Sequence, residues 1–228
     1  MKKILISVFL LLGTFSMASA EIGVKVGISG TIGLFEATGF ETEDGEKVQS
    51  NATGNDKAET IGAMGSIFIE KTLGFLPGPL GRLSLGYDHV THEIQTGTSS
   101  RRVTDLGAAG FASVKGENKA SATIDNINTV YLTANITDWL YVKAGKMSAD
   151  VQTTESLVTG SKYGDSEIDG DVFGLGVQGM MDNGMFFRVE YNDISLDGET
   201  INSTNTANKI NLDSVSGEAA RISVGKSF

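Results

Sequence analysis

The chain has 228 residues, a formal net charge of −10 and no cysteine. An acidic chain of this kind lacks the basic surface that contacts with nucleic-acid phosphates require, so we expect no nucleic-acid partner. The lack of cysteine excludes disulfides and thiolate metal sites. No phosphate-binding glycine loop or metal-ligand cluster occurs either, and the sequence predicts no cofactor and no bound metal.

The first segment has the parts of a secretory signal peptide. The pair Lys2-Lys3 precedes an apolar run, and the small residues of 18–20 form a cleavage site. The apolar run is shorter than the roughly 20 residues that a membrane-spanning helix needs. We therefore predict a cleaved signal peptide over 1–20 and one domain over 21–228. Cleavage removes two lysines and changes the net charge from 18 − 28 = −10 to 16 − 28 = −12.

Eight segments alternate between apolar and polar residues with a period of two. This period is typical of β-strands that have one apolar and one polar face. In the first segment Ile22, Val24 and Val26 share one face, while glycine, lysine and serine occupy the other. The segments are 22–34, 60–71, 82–92, 124–136, 140–149, 172–181, 185–192 and 220–228.

The connections between these segments alternate in length. The long polar ones are 37–58, 95–122, 152–170 and 197–208, and the short ones are 72–81, 137–139 and 182–184. This rhythm is typical of transmembrane barrels with short periplasmic turns and longer extracellular loops. The sequence therefore predicts an all-β fold, an eight-stranded antiparallel up-and-down transmembrane β-barrel. Ten strands are the alternative, because 95–122 could hold another hairpin around Gly107 to Val114.

The two faces of the strands distinguish a membrane barrel from a soluble one of the lipocalin or avidin type. The polar face is rich in glycine, which on a solvated outside would cost backbone entropy without any packing gain. Small residues instead fit the narrow inside of a barrel. The other face is nearly all aliphatic or phenylalanine, and a closed barrel lets such strands satisfy every backbone group within lipid. We predict that the apolar face points outward.

The signal peptide, the eight alternating strands and the final segment 221–228 resemble small Gram-negative outer-membrane barrels of the OmpA/OmpX-like, "porin family" type. The terminal Phe228, preceded by apolar residues at alternate positions, looks like the signal that the barrel assembly machinery reads. Lys226 departs from the aromatic or apolar residue common at that site. The resemblance implies location in the cell outer membrane, contact with outer-membrane lipid and lipopolysaccharide, and the assembly machinery as a partner.

Eight charged residues fall on the inward face and form the candidate interior network. They are Lys25, Glu70, Arg82, Asp88, Lys143, Arg188, Glu190 and Arg221. Buried charges must pair or stay hydrated, and an eight-stranded barrel is about wide enough for its own side chains. We expect a salt-bridged, largely plugged interior. A thin hydrated channel with weak anion preference is the alternative.

Aromatic residues cluster near the short turns and predict the periplasmic membrane interface. They are Phe75, Trp139, Phe186, Phe187 and Phe228.

Other polar groups give weaker signals. His89 and His92 are the only histidines and lack a neighbouring serine arrangement, so we expect no catalytic residues. The segment 165–171 matches half of a calcium loop and is interpreted as a solvated acidic loop. Arg101 and Arg102 could contact lipopolysaccharide phosphates or be ordinary surface charges.

These observations favour a non-enzymatic outer-membrane barrel with a structural and surface-interaction role and long extracellular loops. A small porin-like diffusion channel is the alternative function. A lipid-modifying outer-membrane enzyme is a third hypothesis, which rests only on the two histidines. No ligand of the extracellular loops is indicated.

Overall fold

A computed structural model describes residues 23–43, 46–48, 56–105 and 114–228 of the chain. The predicted signal peptide, 1–20, lies outside this part. The described residues form twelve strands and one short 3-10 helix, Gly78–Arg82. The strands are β1 (Val24–Glu43), β2 (Glu46–Val48), β3 (Asp56–Thr72), β4 (Leu83–Val90), β5 (Ile94–Gln95), β6 (Ser99–Asp105), β7 (Val114–Asn135), β8 (Leu140–Ser156), β9 (Ser166–Met180), β10 (Met185–Leu196), β11 (Glu199–Asn202) and β12 (Lys209–Ser227).

Eight of these strands close into an antiparallel barrel. The order around the barrel is β1, β3, β4, β7, β8, β9, β10 and β12, and β12 pairs with β1 to complete the circle. The four short strands extend the barrel at its outer end, where β2 pairs with β1, β5 and β6 pair with β7, and β11 pairs with β12. The prediction of an eight-stranded up-and-down barrel is confirmed.

The ten-stranded alternative is wrong. A hairpin does exist in the second long connection, because β6 pairs with the first residues of β7, and its tip at 106–113 lies outside the described residues. Within the described ranges, however, β6 pairs with β7 alone and is not one of the strands that close the barrel. No helix in the described part of the chain has the length and hydropathy of a membrane-spanning helix.

The strands are steeply inclined to the barrel axis. If one starts at Ile61 on β3 and moves from each residue to the residue paired with it on the next strand, one circuit of the barrel ends on β3 again. The circuit ends at Lys71, ten positions after Ile61. The residues between them on this ring are Leu34, Glu218, Asp193, Phe173, Ala144, Leu132 and Leu85. An offset of this size over eight strands corresponds to a strand tilt of about 40°.

Several strands extend farther at the outer end than the sequence predicts. β7 begins at Val114, ten residues before the predicted segment, and β8 continues to Ser156, seven residues past it. Beyond the membrane both faces of a strand can be polar, so the strands continue there without the alternation that identifies them. The predicted loops 95–122 and 152–170 are therefore partly strand.

Tight turns join the strands at the opposite end of the barrel. Between β9 and β10 the chain reverses over 182–184, where Gly184 has a φ of +81°, a conformation that favours glycine. The Gly184 amide donates to the Met181 carbonyl at 2.9 Å. The end of the chain is fixed at this side too, because the Phe228 amide donates to the Val24 carbonyl at 2.8 Å.

Candidate functional site

The inside of the barrel near the turns holds a fully buried ion pair. Arg188 on β10 reaches across the interior to Glu70 on β3 with both terminal nitrogens, and the Nη2–Oε2 distance is 2.8 Å. The Tyr131 hydroxyl donates to the same carboxylate at 3.0 Å. Lys25, also buried, lies directly opposite Glu70 in the register of β1 and β3. The carboxylate is thus surrounded by donors and cations from three other strands.

A second group of ion pairs lies one step farther outward. Arg221 on β12 contacts Asp88 on β4, and its Nε is 3.5 Å from the Glu190 carboxylate. The Lys143 ammonium lies 2.8 Å from the other Glu190 oxygen. The Ser66 hydroxyl donates to Asp88 at 3.0 Å. Removing Arg221 would leave the Asp88 carboxylate buried without its ion-pair partner, which is strongly destabilising.

Aromatic rings support these cations. The Arg188 guanidinium lies 4.9 Å from the Phe186 ring centre and 5.1 Å from that of Tyr141. The Lys143 ammonium lies 5.3 Å from the Tyr131 ring centre. Cation–π contacts of this kind contribute about 2 kcal/mol when they are desolvated, as they are here. We refer to the two ion-pair groups and these rings together as the ion-pair layer.

Two inward glycines make room for the rings. A methyl group at Gly86 would overlap the Tyr131 ring, and one at Gly176 would overlap the Tyr141 ring. The narrow barrel can therefore hold large side chains only where the facing strand position has none. This gives the glycine-rich inward face a specific packing reason.

Above the ion-pair layer, toward the outer end, the interior becomes apolar. The buried residues there form two clusters with partly buried neighbours, and we call them the apolar layer. Its members are Val90, Ile127 and Ala149 with Met64, Ile94, Ile124 and Met147, and Val172, Ile194 and Ala219 with Phe35, Met147 and Leu196. The inward face of the barrel is thus mainly charged, polar or aromatic near the turns and mainly aliphatic farther out.

Between the two layers lies a cavity of about 40 Å³. Its lower wall includes Asp88, Lys143 and Arg221, and its upper wall includes Met64 and Ile194. A volume of this size has room for about three water molecules. The interior thus contains two successive layers of different chemistry, with this cavity between them.

Seven of the eight residues of the candidate interior network lie inside the barrel and are brought together: Lys25, Glu70, Asp88, Lys143, Arg188, Glu190 and Arg221. Arg82 does not join them, and this part of the prediction is wrong. It ends the 3-10 helix and donates from the rim to the Ile136 carbonyl at 3.1 Å. The helix interrupts the strand alternation just before β4. The direction of the Arg82 side chain therefore does not follow from its spacing to the inward residues of β4.

Four of the five predicted interface aromatics are exposed near the turns: Phe75, Trp139, Phe187 and Phe228. Phe186 is instead buried inside, with its ring centre 6.1 Å from that of Phe68. Neighbours in a strand point to opposite faces, so Phe186 and Phe187 could not both reach lipid. Phe68 was missed by the sequence reasoning, although it shares the inward parity of Glu70.

The two histidines lie apart from the ion-pair layer. His89 Nδ1 is 2.9 Å from the Asn128 side-chain oxygen, which also accepts from the Tyr87 hydroxyl at 2.5 Å. His92 is exposed in the loop after β4. Asp88, the carboxylate next to His89 in sequence, points inward to Arg221. Asp88 is therefore not available to orient the His89 ring.

The half calcium motif is strand and not loop. Most of 165–171 belongs to β9, and Asp171 pairs with Lys146 at 2.7 Å on the outer surface. Among the described residues, no group of three or more acidic or histidine side chains could hold a metal ion. Arg101 and Arg102 lie on β6, which pairs with β7.

The outer wall decides the class of the protein. Along β10 burial alternates strictly: Phe186, Arg188 and Glu190 are buried while Phe187 and Val189 are exposed. Charged residues inside and aliphatic ones outside are the reverse of a soluble barrel, and only lipid makes that arrangement stable for a closed set of strands. The chain is an outer-membrane β-barrel.

No protein-family model and no curated protein sequence matches the chain. Among solved structures, it is similar to the outer membrane protein OprG from Pseudomonas aeruginosa, with 14% identity, 91% of this chain and 97% of that chain covered, and a TM-score of 0.39. It is also similar to Ail, the attachment invasion locus protein of Yersinia pestis, with 13% identity, 89% and 99% coverage and a TM-score of 0.35. The outer membrane protease OmpT from Escherichia coli matches with 10% identity, 95% and 100% coverage and a TM-score of 0.40. These similarities concern the barrel architecture alone.

Proposed function

We propose that this outer-membrane barrel is non-enzymatic and non-conducting, and that it serves as a rigid support for its extracellular loops. The observation that carries the proposal is the closure of the interior by the ion-pair layer and the apolar layer. A solute would have to separate buried ion pairs such as Glu70–Arg188 and also enter the packing around Ile194. Opening the ion-pair layer and the apolar layer together is unfavourable in free energy, because it leaves buried charges unpaired and removes packing contacts.

The extracellular end supports a role in surface contact. The loop between β8 and β9 is joined to the loop between β11 and β12 by several hydrogen bonds. The Thr204 amide donates to the Lys162 carbonyl at 2.7 Å, the Lys162 amide donates to the Asn205 side chain at 2.8 Å, and that side chain donates to the Gly160 carbonyl at 2.9 Å. Two loops fixed to each other lose less conformational entropy on binding a partner than two free loops do.

Planar-bilayer recording tests the closed interior. Purified, heat-modifiable protein should insert without giving stable unitary current steps. Reproducible steps would instead favour the diffusion channel. Such a channel should prefer anions, because the residues brought together inside comprise four cations and three anions: Lys25, Lys143, Arg188 and Arg221 against Glu70, Asp88 and Glu190.

The absence of enzyme activity is tested through the histidines. Cells that express the protein and cells that express the variant with both His89→Ala and His92→Ala should give the same lipid A mass spectrum. A mass change that depends on the intact histidines would replace this part of the proposal with a lipid-modifying activity.

We also propose that the barrel assembly machinery recognises the C-terminal strand and that the outer wall contacts outer-membrane lipid and lipopolysaccharide. The Phe228 side chain is exposed beside the start of β1, where its backbone closes the barrel. Deleting Phe228 should lower the amount of folded, heat-modifiable protein in outer-membrane fractions. The variant Lys226→Phe, closer to the usual signal, should not lower it.

A further inference from the structure

The outward apolar surface does not end at the same height on all sides of the barrel. A strand rise of about 3.3 Å and a tilt of about 40° give about 2.5 Å of height per residue. Each step to the next strand along the ring of opposed residues changes the height by about 3 Å, from a strand spacing of about 4.8 Å. The ring that starts at Ile61 therefore descends by about 25 Å before it reaches Lys71.

On the flank formed by β1 and β3, the apolar surface reaches the highest part of this ring. Its outermost apolar residues are Leu34, which is 62% exposed, and Ile61, which is 69% exposed. The next outward positions are Glu36 and Glu59, which lie opposite each other in the register. The apolar surface of this flank thus ends between these two pairs of residues.

On the opposite flank, formed by β8 and β9, the apolar surface ends much lower. Its outermost apolar residues are Ala144 and Phe173, and the next outward pair is the ion pair of Lys146 and Asp171. Along the ring of opposed residues, Phe173 is four strands away from Ile61. Ala144 is likewise four strands away from Leu34. The apolar boundary is therefore about 12 Å higher on the β1–β3 flank than on the β8–β9 flank.

We infer that lipid of the outer leaflet covers the β1–β3 flank as far as Ile61, and that the barrel stands obliquely in the membrane. The upper apolar residues continue the lipid-facing alternation of Ile67 and Ile69 on the same strand without a polar interruption. The surface of the membrane is flat, so both apolar boundaries can lie at it only if the barrel axis is tilted. For a barrel about 25 Å wide, a tilt of about 25° compensates for a height difference of about 12 Å. Transmembrane segments likewise tilt when their hydrophobic length does not match the thickness of the bilayer.

A second copy of the chain is a poorer occupant of this flank. Four carboxylates surround the upper apolar residues: Glu36, Glu59, Asp193 and Glu218. A twofold contact through Leu34 and Ile61 would place these carboxylates against their equivalents, and like charges that face each other are destabilising. Acyl chains need no complementary charge at the same height.

Depth-dependent quenching tests the inference, and the natural chain suits it because it has no cysteine. Ile61→Cys and Asp169→Cys place a label on opposite strands, and both positions lie about 22–25 Å above Lys71 along the axis. The labelled barrels are reconstituted into phosphatidylcholine vesicles with brominated acyl chains. We expect at least threefold stronger quenching of the label at 61 by bromolipid, and at least threefold stronger quenching of the label at 169 by iodide.

Equal quenching by iodide at both positions would overturn the inference, since the β1–β3 flank would then be in water. Disulfide-linked dimers of Ile61→Cys under mild oxidation, with weak bromolipid quenching, would also overturn it in favour of a protein contact. Heat-modifiable migration on SDS gels confirms that each labelled variant is folded before it is compared. A label at Val189→Cys, in the middle of the apolar band, gives the quenching expected for full lipid contact.

Discussion

The two layers inside the barrel differ in what holds them together. In the ion-pair layer, Glu70 and Arg188 satisfy each other across the interior, and each depends on its partner. In the apolar layer, Ile194 packs in a cluster with Val172 and Ala219, against which partly buried apolar side chains lie. The comparison teaches that the first layer depends on matched charges on facing strands, whereas the second depends on how well its side chains fill the space. In the ion-pair layer, the loss of stability from a substitution should therefore depend on whether the partner charge is still present. In the apolar layer, it should depend on the side-chain volume that is removed.

The largest effect is expected from Arg188→Met. The substitution leaves the Glu70 carboxylate fully buried without its bidentate partner, and breaking a buried pair in this way costs about 3–5 kcal/mol. The loss in the free energy of unfolding can be measured by urea titration in detergent, followed on SDS gels by the heat-modifiable shift. Fluorescence of Trp139, the single tryptophan, gives a second readout.

The double variant of Arg188→Met with Glu70→Leu provides the control. Removing both charges should restore part of the lost stability, because no unpaired charge remains. If the double variant instead loses the sum of the two single losses, the pair is not what holds this layer together.

A smaller effect is expected from Ile194→Ala in the apolar layer. The substitution removes buried methylene groups and leaves a cavity, which costs about 2–4 kcal/mol. The matched control is Val189→Ala on the same strand, whose side chain faces outward and should change stability by less than about 1 kcal/mol. Equal losses from both variants in the same urea titration would show that the apolar layer is not closely packed.

The two layers also differ in how far the sequence predicts them. Charged residues at inward positions stand out, because no charge is expected on a lipid-facing strand surface; Arg188 and Glu190 follow from parity and chemistry alone. Ile194 and Val172 have inward parity too, but their apolar side chains do not distinguish them chemically from lipid-facing residues, so the sequence gives no separate signal for this layer. Fold class and strand number follow from periodicity, which covers most of every strand.

Contacts between side chains on distant strands could not be predicted from the sequence. Asp88 and Arg221 are 133 residues apart, and their pairing depends on the ten-residue offset of the closed barrel. Arg82 was misplaced because the 3-10 helix breaks the alternation by which its direction was counted. Phe186 was misplaced because clustering near a turn was given more weight than strand parity.

An intermediate effect is expected from Gly86→Ala, which tests the contact between ring and glycine in the ion-pair layer. The added methyl group meets the Tyr131 ring, and overpacking of this kind costs about 1–3 kcal/mol. Gly30→Ala is the matched control, because a methyl group there has open space around it. Stability of the two variants should differ in the urea titration. If both are neutral, the Tyr131 ring is free to move away.

The smallest effect is expected from Lys146→Met, which we compare with Lys143→Met three positions away on β8. Lys143 is 2.8 Å from Glu190 with 5% of its side chain exposed, whereas Lys146 is 2.7 Å from Asp171 with 74% exposed. Nearly equal distances thus join pairs in opposite surroundings. Lys143→Met should lower the free energy of unfolding, because it leaves the buried Glu190 carboxylate with only the longer contact to Arg221 at 3.5 Å. Lys146→Met should give no measurable change, because water and salt screen an exposed pair. A clear loss from Lys146→Met in 0.5 M salt would mean that the outer wall at this height is shielded from water, and the β8–β9 flank would then also lie in lipid.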